Sequence, residues 1–189
     1  VSILLDRFDR VLYVCVHISS LCYVCGILRA YNGPVLIACP SGGTSIEDIA
    51  VSHPDQMLYL PINIHDGMSQ EMAEQVASHL GFVKAENEQG FNDTADLVKN
   101  LYQMFVDTDS TLVEVNPLAE LQDGRVMVCD AKLNFDDNAA FRQKDLFAQR
   151  DVTMEDPRDV AAEDAGLNYI GLDGNIGCLV NGAGLAMST

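Results

Sequence analysis

The chain has 189 residues, 48% of them hydrophobic and 21% charged, and a formal net charge of −17. That is room for one good core, or one domain and the start of another, at an ordinary globular composition. The negative field repels phosphate backbones and anionic membrane surfaces, and no basic stripe offsets it, so neither nucleic acid nor a membrane is an expected partner. A nucleotide is still compatible, because Mg²⁺ or a few local cations can offset its phosphates.

Residues 1–30 are atypical. An apolar run at 11–28 lies between Arg10 and Arg29, barely the length of a membrane span, which takes roughly 20 residues. His17, Ser19 and Ser20 near its middle, and its β-branched residues, favour a pair of buried strands or an insert (translated intron or gene-model artefact). The six cysteines, Cys15, Cys22, Cys25, Cys39, Cys129 and Cys178, lack the dense, regular spacing of a disulfide scaffold, which implies a reducing compartment. Cys22-x-x-Cys25 has no second pair to complete a zinc site, and its Leu, Tyr and Val neighbours suit buried thiols.

From Gly33 onward the pattern becomes regular. Residues 34–39 predict a short buried strand ended by Pro40-Ser41-Gly42-Gly43, after which Ser45 can cap a helical turn through Glu47, Asp48 and Ile49. A second short strand is expected at 57–62. Ser69 then caps a helix carrying Met72, Ala73, Val76, Ala77 and Leu80 at helical spacing, with Gly81 at its end. A further helix over 94–105 would bury Leu97, Val98, Leu101, Tyr102 and Phe105. Two strands follow, 111–115 and 125–131, joined by a tight polar loop. Residues 149–166 form a polar linker with room for one helical turn, and 175–181 predict a buried strand running into Gly182-Ala183-Gly184, which opens another helix. Strands and helices alternate, so the class is α/β or α+β.

The informative constellation is Glu114-Val115-Asn116-Pro117 with Asp130-Ala131-Lys132. If Gln122-Asp123-Gly124 is a three-residue hairpin loop with Gly124 in the left-handed position, paired residues have numbers summing to 246. Asn116 then faces Asp130 and Glu114 faces Lys132, all four on one side of the sheet. Val113, Val115, Cys129, Ala131 and Leu133 point the other way, towards a core. A carboxylate and an amide oxygen suit Mg²⁺ beside a nucleotide, the other positions being left to water and phosphate. Spacing alone favours a solvated face with one Glu–Lys cross-strand pair over the metal reading, and a two-residue Asp-Gly turn would shift the register and dissolve the constellation.

At these residues the chain resembles the beta subunit of succinate–CoA ligase. Four stretches carry the resemblance: 33–50, the Glu-Val-Asn-Pro run at 114–117, 129–145, and the Tyr169 to Met187 run. The likeness as a whole covers about Tyr31 to Thr189. The resemblance implies an α/β chain in which 31–150 are the C-terminal part of an ATP-grasp domain, 151–167 a linker and 168–189 the truncated start of a flavodoxin-like CoA-ligase domain. It implies formation of succinyl-CoA from succinate and CoA, coupled to GTP/GDP or ATP/ADP through a phosphohistidine on a partner alpha subunit, in the mitochondrial matrix. The run from Phe135 to Asp145 leans towards the eukaryotic, GTP-type enzymes. Matched residue by residue, Asn116 and Asp130 take the Mg²⁺ positions, Glu114 that of the glutamate meeting the phosphohistidine, and Asn181 that of a substrate-contacting asparagine. Asp6 or Asp9 is the candidate remnant of an acidic nucleotide ligand. His17, His53, His65 and His79 match no motif position. Both ends look cut, and the family's phosphate-clamping half lies outside this stretch, so the chain by itself is expected to catalyse nothing. Competing readings are a truncated, non-catalytic paralogue that pairs with the alpha subunit, and a malate–CoA ligase or citrate-lyase-type relative.

Overall fold

The computed structural model describes residues 2–3, 18–30, 33–41 and 46–188. Its chain divides into two compact units, Val1–Arg150 and Asp151–Thr189.

In the first unit the strands are β1 (Ser2–Ile3), β2 (Ile18–Ala30), β3 (Gly33–Cys39), β4 (Leu58–Pro61), β5 (Ser110–Leu121), β6 (Val126–Val128) and β7 (Ala131–Phe135). Its helices are α1 (Ile46–Ser52), α2 (Gln70–His79), α3 (Glu88–Asp107) and the single-turn α4 (Lys144–Phe147). The described strands form one sheet in the order β1-β7-β5-β2-β3-β4, with β6 paired to β5 beyond β7. Every pairing is antiparallel. The mixed architecture is the one expected, realised in its α+β form.

The part of the apolar run that is described is a single long strand, β2, rather than a pair. It lies between β3 and β5 and pairs with both. No described helix is long and apolar enough to cross a membrane. Ile27 of β2 is buried in the main core. Residues 4–17, including Asp6, Asp9, Cys15 and His17, and also Ser45, lie outside the described residues.

One face of the sheet is covered by α2 and α3. Ile27, Leu36, Ala38, Val113, Val115 and Leu118 from the strands pack with Val76, Ala77, Phe91, Ala95, Val98 and Phe105 from the helices. Consecutive β3 residues alternate as period 2 requires: Leu36 and Ala38 enter this core, while Ile37 and Cys39 pack on the other side with Ile49 of α1 and Met57.

Helix α2 is as the spacing predicts. Ser69 Oγ accepts the Met72 backbone N–H at 3.2 Å, Ala73, Val76 and Ala77 are buried, and Gly81 follows at φ +94°. Removing this cap with Ser69→Ala is expected to lower stability by about 1 kcal/mol. A urea titration followed by circular dichroism checks it, and Ser69→Asp, which restores an acceptor, should recover the loss.

Helix α3 starts well before the expected position. Asn87, not a residue near Thr94, is its N-cap, and its Oδ1 accepts the Gly90 N–H at 2.9 Å. The first turn was obscured by its polar sequence, because Glu88, Gln89, Asn92 and Asp93 show no apolar stripe and only Phe91 is deeply buried there with the small Gly90.

In the second unit, α5 (Pro157–Asp164) occupies more of the expected linker than one turn. Its N-cap Asp156 accepts the Arg158 guanidinium at 2.5 Å and the Arg158 backbone N–H at 2.8 Å. The guanidinium bond first, and the backbone bond after it, hold the Asp156 carboxyl down at about 2. What this pairing contributes is present above the ordinary carboxylate pKa and is lost as pH falls towards 2. Arg158 also lies over the Tyr169 ring, 5.4 Å from its centre.

Residues 175–181 are not a strand. Ile176 is 86% and Leu179 93% exposed, and only α6 (Ala183–Met187) follows. A run of this apolar kind becomes a strand when neighbours take its backbone groups on both edges, and the second unit offers no described strand to pair with it.

Candidate metal site

The hairpin that carries the constellation turns at residues 122–124. Gly124, at φ +83°, donates its N–H to the Leu121 carbonyl at 2.9 Å, and Leu121 donates to the Arg125 carbonyl at 2.8 Å. This is the three-residue turn, and the register follows from it. Glu120 faces Val126, Leu118 faces Val128, Val115 faces Ala131 and Glu114 faces Lys132, each pair summing to 246. Asn116 donates its N–H to the Asp130 carbonyl at 3.1 Å, and Cys129 donates to the Pro117 carbonyl at 3.0 Å.

The return arm is interrupted where the site lies. Strand β6 ends at Val128 and β7 begins at Ala131, so Cys129 and Asp130 sit at a break opposite Asn116 and Pro117, whose peptide bond is cis. The outgoing strand changes phase at the same place. Val113 and Val115 are buried against the helices, which turns Glu114 and Asn116 to the opposite face. Beyond Pro117, Leu118 enters the core and Glu120 points to the helix side, where it meets Asn87. On the return arm Ala131 and Leu133 pack against the core, which by alternation within β7 puts Lys132 on the face of Glu114, while Asp130 sits at the break just before β7.

Cys129 does not join the core as the simple alternation predicts; it is exposed because the strand breaks at that residue. Partial burial raises its thiol above the ordinary value, which disfavours a thiolate there. The Asp130 carboxylate is exposed, with Oδ1 accepting the next residue's N–H at 2.9 Å. Among the described residues no group of three or more His, Cys, Asp or Glu side chains could hold a metal. The donors at this break are one carboxylate and one amide oxygen. That set fits a hard cation whose other positions go to water or phosphate, and not a zinc-type site.

The other matched residues lie apart from this hairpin. Asn181 is exposed in the second unit, immediately before Gly182, the N-cap of α6. His53 and His65 are exposed, His53 contacting the Ser52 hydroxyl at 2.9 Å, and the half-buried His79 contacts the Gln56 carbonyl at 2.8 Å.

Two groupings escaped the sequence reading. Asp109, at φ +52°, closes the turn between α3 and β5 and accepts two bonds from Arg142, at 2.8 and 2.6 Å. Gln143 Nε2 donates to the Asp107 carbonyl and to Asp109 Oδ2, both at 2.8 Å. Thus Arg142-Gln143, part of the family-like run, fastens the segment after β7 to the start of β5. The signal for the second grouping was Asn87 three residues before Gly90, an N-cap pattern. Asn87 Nδ2 donates to Glu120 Oε1 at 2.7 Å and to the Gly124 carbonyl at 2.8 Å, tying the start of α3 to the hairpin turn.

Comparison with known proteins agrees with this fold. A family model described as an ATP-grasp domain matches residues 9–120, a span that takes in the apolar run of 11–28. The chain is 54% identical over 161 residues to a protein of Solanum lycopersicum named mitochondrial succinate–CoA ligase [ADP-forming] subunit beta, covering 85% of this chain and 38% of the relative. It is 53% identical over 163 residues to a Dictyostelium discoideum protein named mitochondrial succinate–CoA ligase [GDP-forming] subunit beta, covering 85% and 37%. The chain therefore spans well under half the length of these relatives. Among solved structures, an ATP citrate lyase from Methanothrix soehngenii shares the fold at a TM-score of 0.55 and 14% identity, over 77% of this chain and 32% of that one. With the family model matching more than half of its length, this chain belongs to the ATP-grasp domain family.

Proposed function

We propose that this chain is part of the nucleotide-binding beta subunit of a succinate–CoA ligase. The reaction joins succinate to CoA with conversion of a nucleoside triphosphate to its diphosphate and phosphate, through a phosphohistidine on a partner alpha subunit in the mitochondrial matrix. In this reading 31–150 complete an ATP-grasp domain, 151–167 link it to a CoA-ligase domain, and that domain begins at 168. The single observation that supports the site assignment is the hairpin register, with the Asn116 N–H bonded to the Asp130 carbonyl at 3.1 Å on a sheet where Glu114 faces Lys132.

Asn116, through its amide oxygen, and Asp130, through its carboxylate, are the residues to hold Mg²⁺. When bound there, the ion neutralises charge on the nucleotide phosphates. Glu114 accepts a hydrogen bond from the incoming imidazole, which orients the ring and favours its cationic form. Lys132, opposite Glu114, supplies a compensating positive charge on that face. Asn181 contacts the carboxylate substrate. The preference for GTP over ATP rests on the run from Phe135 to Asp145 alone, the relatives being named both ADP- and GDP-forming.

The test is to co-express the full-length beta chain carrying this sequence with an alpha subunit and to follow nucleoside diphosphate formation. Turnover that requires succinate, CoA, Mg²⁺ and both subunits, and that is faster with GTP than with ATP, is the expected result. Turnover indifferent to succinate and CoA would sink the reading, and faster turnover with ATP would sink its nucleotide part.

A further inference from the structure

We infer that Asn87 is a positioning residue for the candidate metal site, setting from the far end of the hairpin where Asp130 stands opposite Asn116. The inference rests on the Mg²⁺ reading of that pair.

The return arm needs such a device. Among the described residues, strand β6, of three residues, pairs with β5 alone; it ends at the exposed Val128 and leads into the exposed Cys129 and Asp130. Register is well specified where one face of a strand is deeply buried and weakly specified where it is not. In β6 only Val126 packs against the core. Burial therefore specifies little over the stretch that carries Asp130, and turn geometry carries the rest. A slip to a two-residue Asp-Gly turn would set Asp130 opposite Pro117 instead of Asn116.

Asn87 holds both ends of that turn. Its Nδ2 donates to Glu120 Oε1 on the outgoing strand and to the carbonyl of Gly124, the left-handed residue, while its Oδ1 caps α3 through the Gly90 N–H. The fit is close, since a Cβ added to Gly90 would lie 2.9 Å from the Gly124 carbonyl oxygen and closer still to the Asn87 side chain. A long, well-packed helix is thereby locked to the turn, and the turn sets the pairing along the arm. Asn116 is four residues from Glu120, about 13 Å at the usual rise per strand residue. Asn87 thus acts on the site through the backbone and touches no ligand.

The two functions of Asn87 can be separated. Asn87→Asp keeps the capping oxygen but replaces the donor with a carboxylate that faces Glu120 and the Gly124 carbonyl. Asn87→Asp combined with Glu120→Gln restores a donor–acceptor pair with its polarity reversed. In the full-length chain two quantities are measured: the Mg²⁺ concentration for half-maximal nucleotide binding by calorimetry, and deuterium uptake of peptides covering 114–132 and α3. Asn87→Asp is expected to raise the Mg²⁺ requirement about tenfold, a size typical of groups that orient metal ligands. It should also speed exchange over 114–132 while α3 stays protected, and the double variant should recover both to within about twofold of the parent. Glu120→Gln alone is the control for that side chain's other contacts. Asp130→Asn is run in parallel. If Asp130→Asn weakens Mg²⁺ binding and Asn87→Asp does not, or if exchange over 114–132 is unchanged, the positioning role is wrong. If neither variant alters Mg²⁺ binding, the site assignment fails and this inference with it. Should Asn87→Asp fail to fold, the double variant must also lack Mg²⁺ binding for the role to be lost.

Discussion

On the function proposed above, replacing Asp130 with Asn in the full-length chain, assayed with the proposed alpha partner, is expected to raise the Mg²⁺ requirement for nucleotide use by about tenfold or more, with the fold unchanged. The substitution removes the carboxylate charge and leaves the shape. Asp130 is exposed at the break between β6 and β7, and its one short-range bond, from the Ala131 N–H to Oδ1 at 2.9 Å, survives because Asn keeps an Oδ1 acceptor. Its backbone carbonyl, which accepts the Asn116 N–H, is untouched. Stability should therefore stay within about 0.5 kcal/mol of the parent, as for surface substitutions that disturb no buried group. A Mg²⁺ titration of turnover at saturating nucleotide, alongside a thermal melt, measures both. An unchanged Mg²⁺ requirement would remove Asp130 from the metal assignment, whatever the chain's reaction. Asn116→Asp should move the requirement in the opposite direction or leave it, since it adds a second hard oxygen charge at the partner position.

The features most legible in the sequence were those set by local chemistry. Ser69, the Met72–Ala73–Val76–Ala77 spacing and Gly81 bound α2 because a cap, an apolar stripe and a left-handed glycine each act within a few residues. Gly124 announced the three-residue turn, and the register of Glu114 with Lys132 followed by counting. Features that depend on distant partners were less visible. Strand β2 is indistinguishable from an inserted apolar segment until β3 and β5 are found on either side of it. The break at Cys129-Asp130 arises where the outgoing strand changes phase at Pro117, which a strict period of two cannot express. The phase change is also what lets Glu114 face away from the helices and Glu120 towards them, although both occupy even positions of one strand. Residues 175–181 show the converse limit: their apolar sequence predicts a buried strand, yet with no described strand in the second unit to pair with, Leu179 stays in solvent. The tie from Asn87 to Gly124, and that from Arg142 to Asp109, join residues more than thirty positions apart. Spacing along the chain carries no trace of such pairings.

Truncating Leu118 to Ala is expected to cost the first unit about 3 kcal/mol, within the range of 2–5 found for large-to-small changes in well-packed cores. Leu118 is fully buried, lies in the main core, and sits on the strand paired with β2 on one side and β6 on the other. With hydrogen-bonded neighbours on both edges, the backbone at Leu118 cannot sink to fill the space left by the lost methyl groups, so most of the cavity should persist. Val106→Ala is the contrast. Val106 is half-exposed on α3, and Ala has the better helix propensity, so that change should stay within about 0.5 kcal/mol. Urea unfolding of the two variants, followed by circular dichroism, gives the comparison directly. Leu118 is two residues from Asn116 and directly opposite Val128, at the end of β6, so the same truncation should also loosen the arm that leads to Asp130. Faster deuterium exchange over 126–132 in Leu118→Ala than in Val106→Ala would show that the core under the hairpin holds the site as well as the fold. Equal exchange, with a loss below about 1 kcal/mol, would mean that the sheet at Pro117 collapses around the gap and that the packing beneath the site is looser than its burial implies.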